Sequence, residues 1–152
     1  MSGLAMGLVL QAALLTSGAD SYETALQAAK ENGQPFVVLI GADWCPGCVT
    51  MKNSVMPSMA RSGQLKNVNY ATVNYDQNPN LARQLMRGGT IPQLAVFIKT
   101  DKGWHREQTT GTTSSGAVTG MLQRALAAKA SQAEAKVAAD TISTTTGGGG
   151  GN

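Results

Sequence analysis

Histidine occurs once in the 152 residues, as His105, and cysteine twice, as Cys45 and Cys48. Two cysteines cannot staple a small disulfide scaffold, and they cannot complete a four-cysteine zinc site within one chain. Charged residues make up only 14% of the sequence, well under the usual proportion of about a quarter. The 12 basic and 9 acidic residues are scattered singly, for a net charge of +3. No basic block or stripe forms, so a nucleic-acid groove has no electrostatic footprint and no nucleic-acid partner is expected. No uninterrupted apolar run reaches about 18 residues, which argues against a membrane span. Lysine and arginine are both missing before Lys30.

Against these scarcities, apolar residues reach 42%, enough for a globular core rather than disorder. The length suits one domain and is too short for two well-cored ones. Glycine is frequent at 18 residues, but five of them form one terminal run, Gly147 to Gly151. Three regions follow from composition. Residues 1–19 are apolar from Leu4 to Leu15 and end in small residues, with Ser17 and Ala19 placed as at a signal-peptidase site. They read as an export signal or as an apolar first element packed on the domain; the missing positive residues weigh against the first. An export signal implies a periplasmic or other extracytoplasmic location, and its absence a cytoplasmic one. Residues 20–130 carry the folded pattern. Residues 131–152, rich in Ala, Thr and Gly, read as a flexible tail that buries too little apolar surface to offset its ordering entropy.

Within the folded region, Asp20 is expected to N-cap a first helix, with Glu23 completing a capping box. Tyr22, Ala25, Leu26 and Ala29 form its apolar stripe, and Asn32-Gly33 and Pro35 end it. Phe36 to Ile40 lacks any polar residue, as a strand covered on both faces does. A second helix is expected from Cys45 towards Ser62, kinked or ended by Pro57. Val68 to Tyr75 reads as a strand, and Asn78 to Arg87 as a short helix with Pro79 at its first position. Gln93 to Thr100 and Trp104 to Thr109 read as a hairpin around Asp101-Lys102-Gly103. A last helix is expected from Ser114 or Ser115 through Ala130. Alternating strands and helices place helices on both faces of a sheet, expected to be parallel except for the final hairpin.

The sharp motif is Trp44-Cys45-Pro46-Gly47-Cys48, directly after the apolar strand and opening a helix. Two residues between cysteines at a helix start bring the sulfurs close enough to form a small disulfide ring or to part as thiols. The first sulfur faces unpaired backbone N–H groups and the positive end of the helix dipole. Those donors favour the thiolate and make Cys45 the nucleophile. Pro46 occupies the first helical position, where its missing N–H costs nothing. Cys48, one turn in, is expected to be buried, protonated at rest, and placed to attack a mixed disulfide. A zinc knuckle would need two more ligands, and His105 lies in the hairpin with no second His or Cys near it in sequence. A soft-metal module is the rival, with the two thiolates joined by Met51, Met56 and Met59 around Cu(I). Helical methionines are more often core filler.

On these residues the chain resembles the thioredoxin family, over roughly Ser21 to Leu126. Trp44-Cys45-Pro46-Gly47-Cys48 stands where that family carries its Trp-Cys-x-x-Cys site, and Thr90-Ile91-Pro92 resembles its loop with a cis proline facing the disulfide. Tyr75-Asp76-Gln77-Asn78-Pro79, Gly88 and a hairpin ending at Gly111 follow the same pattern. Cys48 through Val55 is most similar to exported or DsbD-like thioredoxin domains. The resemblance implies an α/β thioredoxin fold, a central mixed sheet of about four strands flanked by helices on both faces. It implies a thiol–disulfide oxidoreductase, most readily a disulfide reductase, with Cys45 and Cys48 catalytic and Trp44, Pro46 and Gly47 supporting them. Ile91, Pro92 and Gly111 would present the substrate, a protein disulfide or dithiol pairing like an added strand. Taken without the family, Pro92 reads as a trans proline opening an edge strand.

No organic cofactor and no metal is implied, since the disulfide itself carries the electrons. A monomer served by a membrane-bound or soluble electron donor is expected. Two departures stand out. Thioredoxins proper carry a buried acid where this chain has Leu39, so a slower second thiol step is expected. Pro46-Gly47 reverses the thioredoxin order and leaves the direction of electron flow open. Asp43 reads as a turn residue or as an influence on Cys45, Trp44 as packing beside the disulfide, and Lys99, Lys102 and Arg106 as a solvated hairpin.

Overall fold

The computed structural model describes residues 21–145. The export segment expected at 1–19, the cap expected at Asp20 and the glycine run lie outside them. Helix α1 (Tyr22–Asn32) is capped by Ser21, whose hydroxyl accepts the Thr24 N–H at 3.3 Å. It stops where Gly33 takes a positive φ of 67° and donates its N–H to the Ala29 carbonyl, a left-handed stop that glycine adopts without strain. Strand β1 (Phe36–Gly41) follows.

Helix α2 (Pro46–Thr50), a π-helical turn (Met51–Val55) and helix α3 (Met56–Arg61) run on without a break. The expected disruption at Pro57 is thus absorbed upstream. The Met56 N–H bonds the Met51 carbonyl five residues back, and this wider turn precedes the residue whose ring would crowd a regular one. Then come β2 (Asn69–Asn74), α4 (Pro79–Leu85), β3 (Gln93–Thr100), β4 (Gly103–Thr110) and α5 (Ser115–Thr145).

The four strands form one sheet in the order β2-β1-β3-β4. β1 and β2 are parallel, but β3 runs antiparallel to β1, with Ile40 opposite Gln93 and Phe36 opposite Phe97. This corrects the expectation of a sheet parallel up to the final hairpin. A parallel return would carry the chain back along the whole of β2, about 20 Å for six residues. The seven residues of α4 span only about 10 Å. β3 therefore starts from the end of the sheet where β2 finished.

Side chains alternate between two faces of the sheet. Val37, Leu39, Leu94, Val96 and Ile98 pack with Met51, Met56 and Met59 and with Val118, Met121, Leu122 and Ala125 of α5. Phe36, Val38, Ile40, Ala71 and Val73 pack with Ala25 and Ala29 of α1 and Ala82 and Leu85 of α4. Each fully buried large side chain contributes about 1.5–3 kcal/mol. The helices thus cover both faces, as the sequence reading has it.

Two further expectations change. The last helix does not stop at Ala130 but continues to Thr145. Residues 131–141 are almost all exposed, so this extension rests on alanine's helix propensity rather than on packing. Arg106 is half-buried rather than freely solvated. Its guanidinium lies 5.1 Å over the Phe97 ring and bonds the Leu85 carbonyl and Gln108, because Arg106 sits opposite Phe97 on the face that α4 covers. Lys99 and Lys102 are exposed, as expected. Among the described residues, no helix is long and apolar enough to cross a membrane.

Candidate functional site

β1, α2 and the start of β3 meet at one end of the sheet, and both cysteines sit there. Cys45 is the N-cap of α2, with extended backbone, and Pro46 takes the first helical position. Cys45 and Cys48 are joined by a disulfide, their Cα atoms 5.2 Å apart. The Cys45 sulfur accepts the Cys48 backbone N–H at 3.3 Å. Both cysteines are largely buried, at relative exposures of 6% and 4%. With Ala42 they form a small buried cluster against which Ile91 packs.

The Ile91–Pro92 peptide bond is cis, in line with the family resemblance and against the trans reading of the residues alone. The Ile91 carbonyl oxygen lies 3.9 Å from the Cys45 sulfur. Gly111, with φ of 91°, donates its N–H to the Pro92 carbonyl at 2.8 Å. Gly47 faces the same loop: a Cβ built on it would meet Thr112 Oγ1 at 2.5 Å and Pro92 Cδ at 3.3 Å. Glycine at position 47 therefore fits between helix and loop where a side chain would have to displace Thr112. Cys45, Gly47, Ile91, Pro92 and Gly111, spread over more than half of the described sequence, come together here.

Trp44, next to Cys45 in the chain, is 68% exposed and donates its indole N–H to Asp76 at 2.9 Å, so it stands as a tethered plate at the rim of the site. Asp43 lies 3.7 Å from the Lys52 ammonium and accepts from the Asn74 amide at 3.3 Å. The position of the family's buried acid is filled by Leu39, buried in the core. Beside it a cleft of about 240 Å³ reaches Cys48, lined also by Gly41, Asp43, Lys52, Asn53, Thr72 and Asn74.

The residues of the rival metal grouping fall in two clusters. Met51, Met56 and Met59 belong to the main core cluster, apart from the cysteines, and the Met51 sulfur accepts the Thr113 N–H at 3.3 Å. His105 is opposite Ile98, five residues, about 17 Å, along β3 from Gln93 at the site end, and it faces Glu107 at 3.7 Å. Among the described residues no three His, Cys, Asp or Glu side chains group as a metal site would.

Sequence reasoning missed Gln93. It is fully buried, accepts the Arg87 N–H at 2.9 Å, and donates to the carbonyls of Arg87 at 3.0 Å and Thr90 at 2.8 Å. The Gln108 amide bonds it as well. One side chain thereby ties down the loop that delivers Ile91. The available signal was an amide directly after Pro92 and directly before the apolar run Leu94 to Ile98.

A thioredoxin-like family profile matches residues 17–98, more than half of the chain. Solved structures share the fold. A thioredoxin from Trichomonas vaginalis is 24% identical with a TM-score of 0.55, over 69% of this chain and 91% of that one. Chloroplastic thioredoxin z is 21% identical with a TM-score of 0.57, over 72% and 94%. A thioredoxin from Thermus thermophilus is 24% identical with a TM-score of 0.54, over 68% and 82%. No curated protein sequence matches significantly.

Proposed function

The chain belongs to the thioredoxin-like family and is at that level a thiol–disulfide oxidoreductase, and we propose that it works as a protein disulfide reductase. In the reduced form, the Cys45 thiolate attacks one sulfur of a substrate disulfide. A bond forms between Cys45 and that sulfur, the substrate's S–S bond breaks, and its second sulfur leaves as a thiolate that takes a proton from solvent. Cys48 then loses its proton and attacks the Cys45 sulfur. The Cys45–Cys48 disulfide forms, the mixed disulfide breaks, and the substrate has gained two electrons from the pair. An external dithiol or electron donor must reduce the pair for the next cycle.

The observation that carries this reading is the Cys48 N–H directed at the Cys45 sulfur from the first turn of the helix. That donor stabilises negative charge on Cys45 before any substrate arrives. The same geometry favours the reducing direction. Pro46 and Gly47 bring no cationic side chain between the cysteines, so within the motif the thiolate draws its stabilisation from backbone. Modest stabilisation of the reduced form leaves it a better electron donor. Ile91, cis-Pro92 and Gly111 would hold an extended substrate segment beside Cys45 through backbone bonds, and Trp44 would flank it.

The test is catalysis of insulin disulfide reduction by dithiothreitol, with metal content measured on the same preparation. Turnover by the metal-free protein, lost in Cys45→Ser, is the expected result. Absence of turnover together with stoichiometric copper or zinc would favour the metal module instead.

A further inference from the structure

Leu39 puts hydrocarbon where the resemblance leads one to expect an acid, so the second cysteine has no buried carboxylate to take its proton. What it has instead is the cleft. Cys48 lines it, and the cleft's polar wall comes from Asp43, Lys52, Asn53, Thr72 and Asn74. The charged groups facing Cys48 across it can be taken element by element. β1 contributes Leu39 and Gly41, and β2 contributes Thr72, Val73 and Asn74, none of them ionisable. The turn after β1 contributes the Asp43 carboxylate, and the π-helical turn contributes the Lys52 ammonium. Lys52 follows Cys48 by four residues, the spacing that puts two side chains on one side of a helix. Both charged side chains are more than half exposed, and their separation of 3.7 Å is loose for an ion pair.

We propose that Lys52 is an electrostatic positioning residue for the second step of exchange, its ammonium favouring the Cys48 thiolate while the proton leaves into water held in the cleft. The inference rests on the reading of the Cys45–Cys48 pair as a dithiol exchanger. In the resolving step the Cys48 S–H bond breaks, its proton passes to cleft water, and the sulfur keeps the electron pair. That pair forms the bond to Cys45, and the substrate sulfur leaves with the electrons of the broken mixed disulfide. Asp43 opposes the effect: by pairing with Lys52 it draws part of the positive field away from the sulfur. The interaction crosses an open cleft between exposed side chains, so it is modest and screened by salt.

The experiment mixes the reduced protein rapidly with excess dithiobis(nitrobenzoate), which releases one coloured thiolate when Cys45 attacks and a second when Cys48 resolves. The second phase is independent of reagent concentration and is followed against pH. In Lys52→Met its midpoint is expected to rise by about half a unit, with resolution about threefold slower at neutral pH. Lys52→Arg is expected to restore the parent profile, Asp43→Asn to lower the midpoint, and about 1 M salt to erase most of the difference. A Lys52→Met profile that superimposes on the parent's overturns the proposal, and so does a displacement that Lys52→Arg retains. Failure of the underlying reading looks different: the first coloured equivalent appears but no Cys45–Cys48 disulfide follows, which overturns both.

Discussion

Gly41 and Cys48 touch across the site: a Cβ placed on Gly41 would fall 2.8 Å from the Cys48 Cβ and 2.9 Å from its sulfur. The second cysteine thus rests on bare backbone at the end of β1, and the helix that carries both cysteines seats only because residue 41 has no side chain. Glycine is needed here for space, not for an unusual φ. Gly41→Ala must push α2 outward or twist Cys48, and the oxidised protein is expected to lose about 1–3 kcal/mol. Urea unfolding of the oxidised and reduced forms checks this. A variant as stable as the parent in both would show that the contact yields freely.

Leu39→Asp tests the consequence of the missing acid. The carboxylate would stand beside Cys48 on the same side of the sheet, and the resolving step is expected to accelerate at neutral pH in stopped-flow reduction of a disulfide. Burying it in the core is expected to cost about 2–5 kcal/mol of stability. No acceleration in a variant that still folds would show that proton removal does not limit this step.

Gln93→Ala should matter more than its distance from the sulfurs suggests. It strands the Arg87 N–H and the carbonyls of Arg87 and Thr90, and loss of a buried bonded network of this kind is expected to cost about 2–4 kcal/mol. Hydrogen exchange at the Arg87 amide should speed up, and the apparent affinity for a peptide disulfide should fall. Unchanged protection at Arg87 would count against the loop being held from Gln93.

Tyr70 supplies a pH dependence. Burial raises its phenol well above the ordinary value near 10, and its hydroxyl has no hydrogen-bond partner among the described residues. Below pH 10 the phenol is neutral in the folded and unfolded chain alike, so its contribution to stability is intact. Above pH 10 only the unfolded chain ionises there, and stability falls by up to about 1.4 kcal/mol per pH unit. Tyr70→Phe is expected to flatten part of that alkaline decline while leaving stability at pH 8 equal or slightly higher. Equal alkaline slopes for the two proteins would contradict it.

The features legible in the sequence were those decided locally. The run Phe36 to Ile40 carries no polar group and had to be a covered strand. Trp44 to Cys48 carries its chemistry in five adjacent residues, and Pro79 after Asn78 suits the first position of a helix. What was not legible depends on distant partners. The direction of β3 is set by how far α4 travels back. Arg106 looks like a surface cation until the hairpin register sets it over Phe97. Gln93 and Gln108 meet only because β3 and β4 pair. The helical stretch beyond Ala130 is the converse case: its low-complexity composition suggests a tail, yet its alanines favour a helix without any partner.

The central assignment is that the backbone at the start of α2 keeps Cys45 ionised and ready for attack. It is tested most directly by titrating the thiolate absorbance near 240 nm in reduced Cys48→Ser, which leaves one thiol to report. A midpoint clearly below the ordinary cysteine value of about 8.5 is expected. A midpoint at or above that value would contradict the assignment, because the helix start would then give Cys45 no advantage over any other thiol.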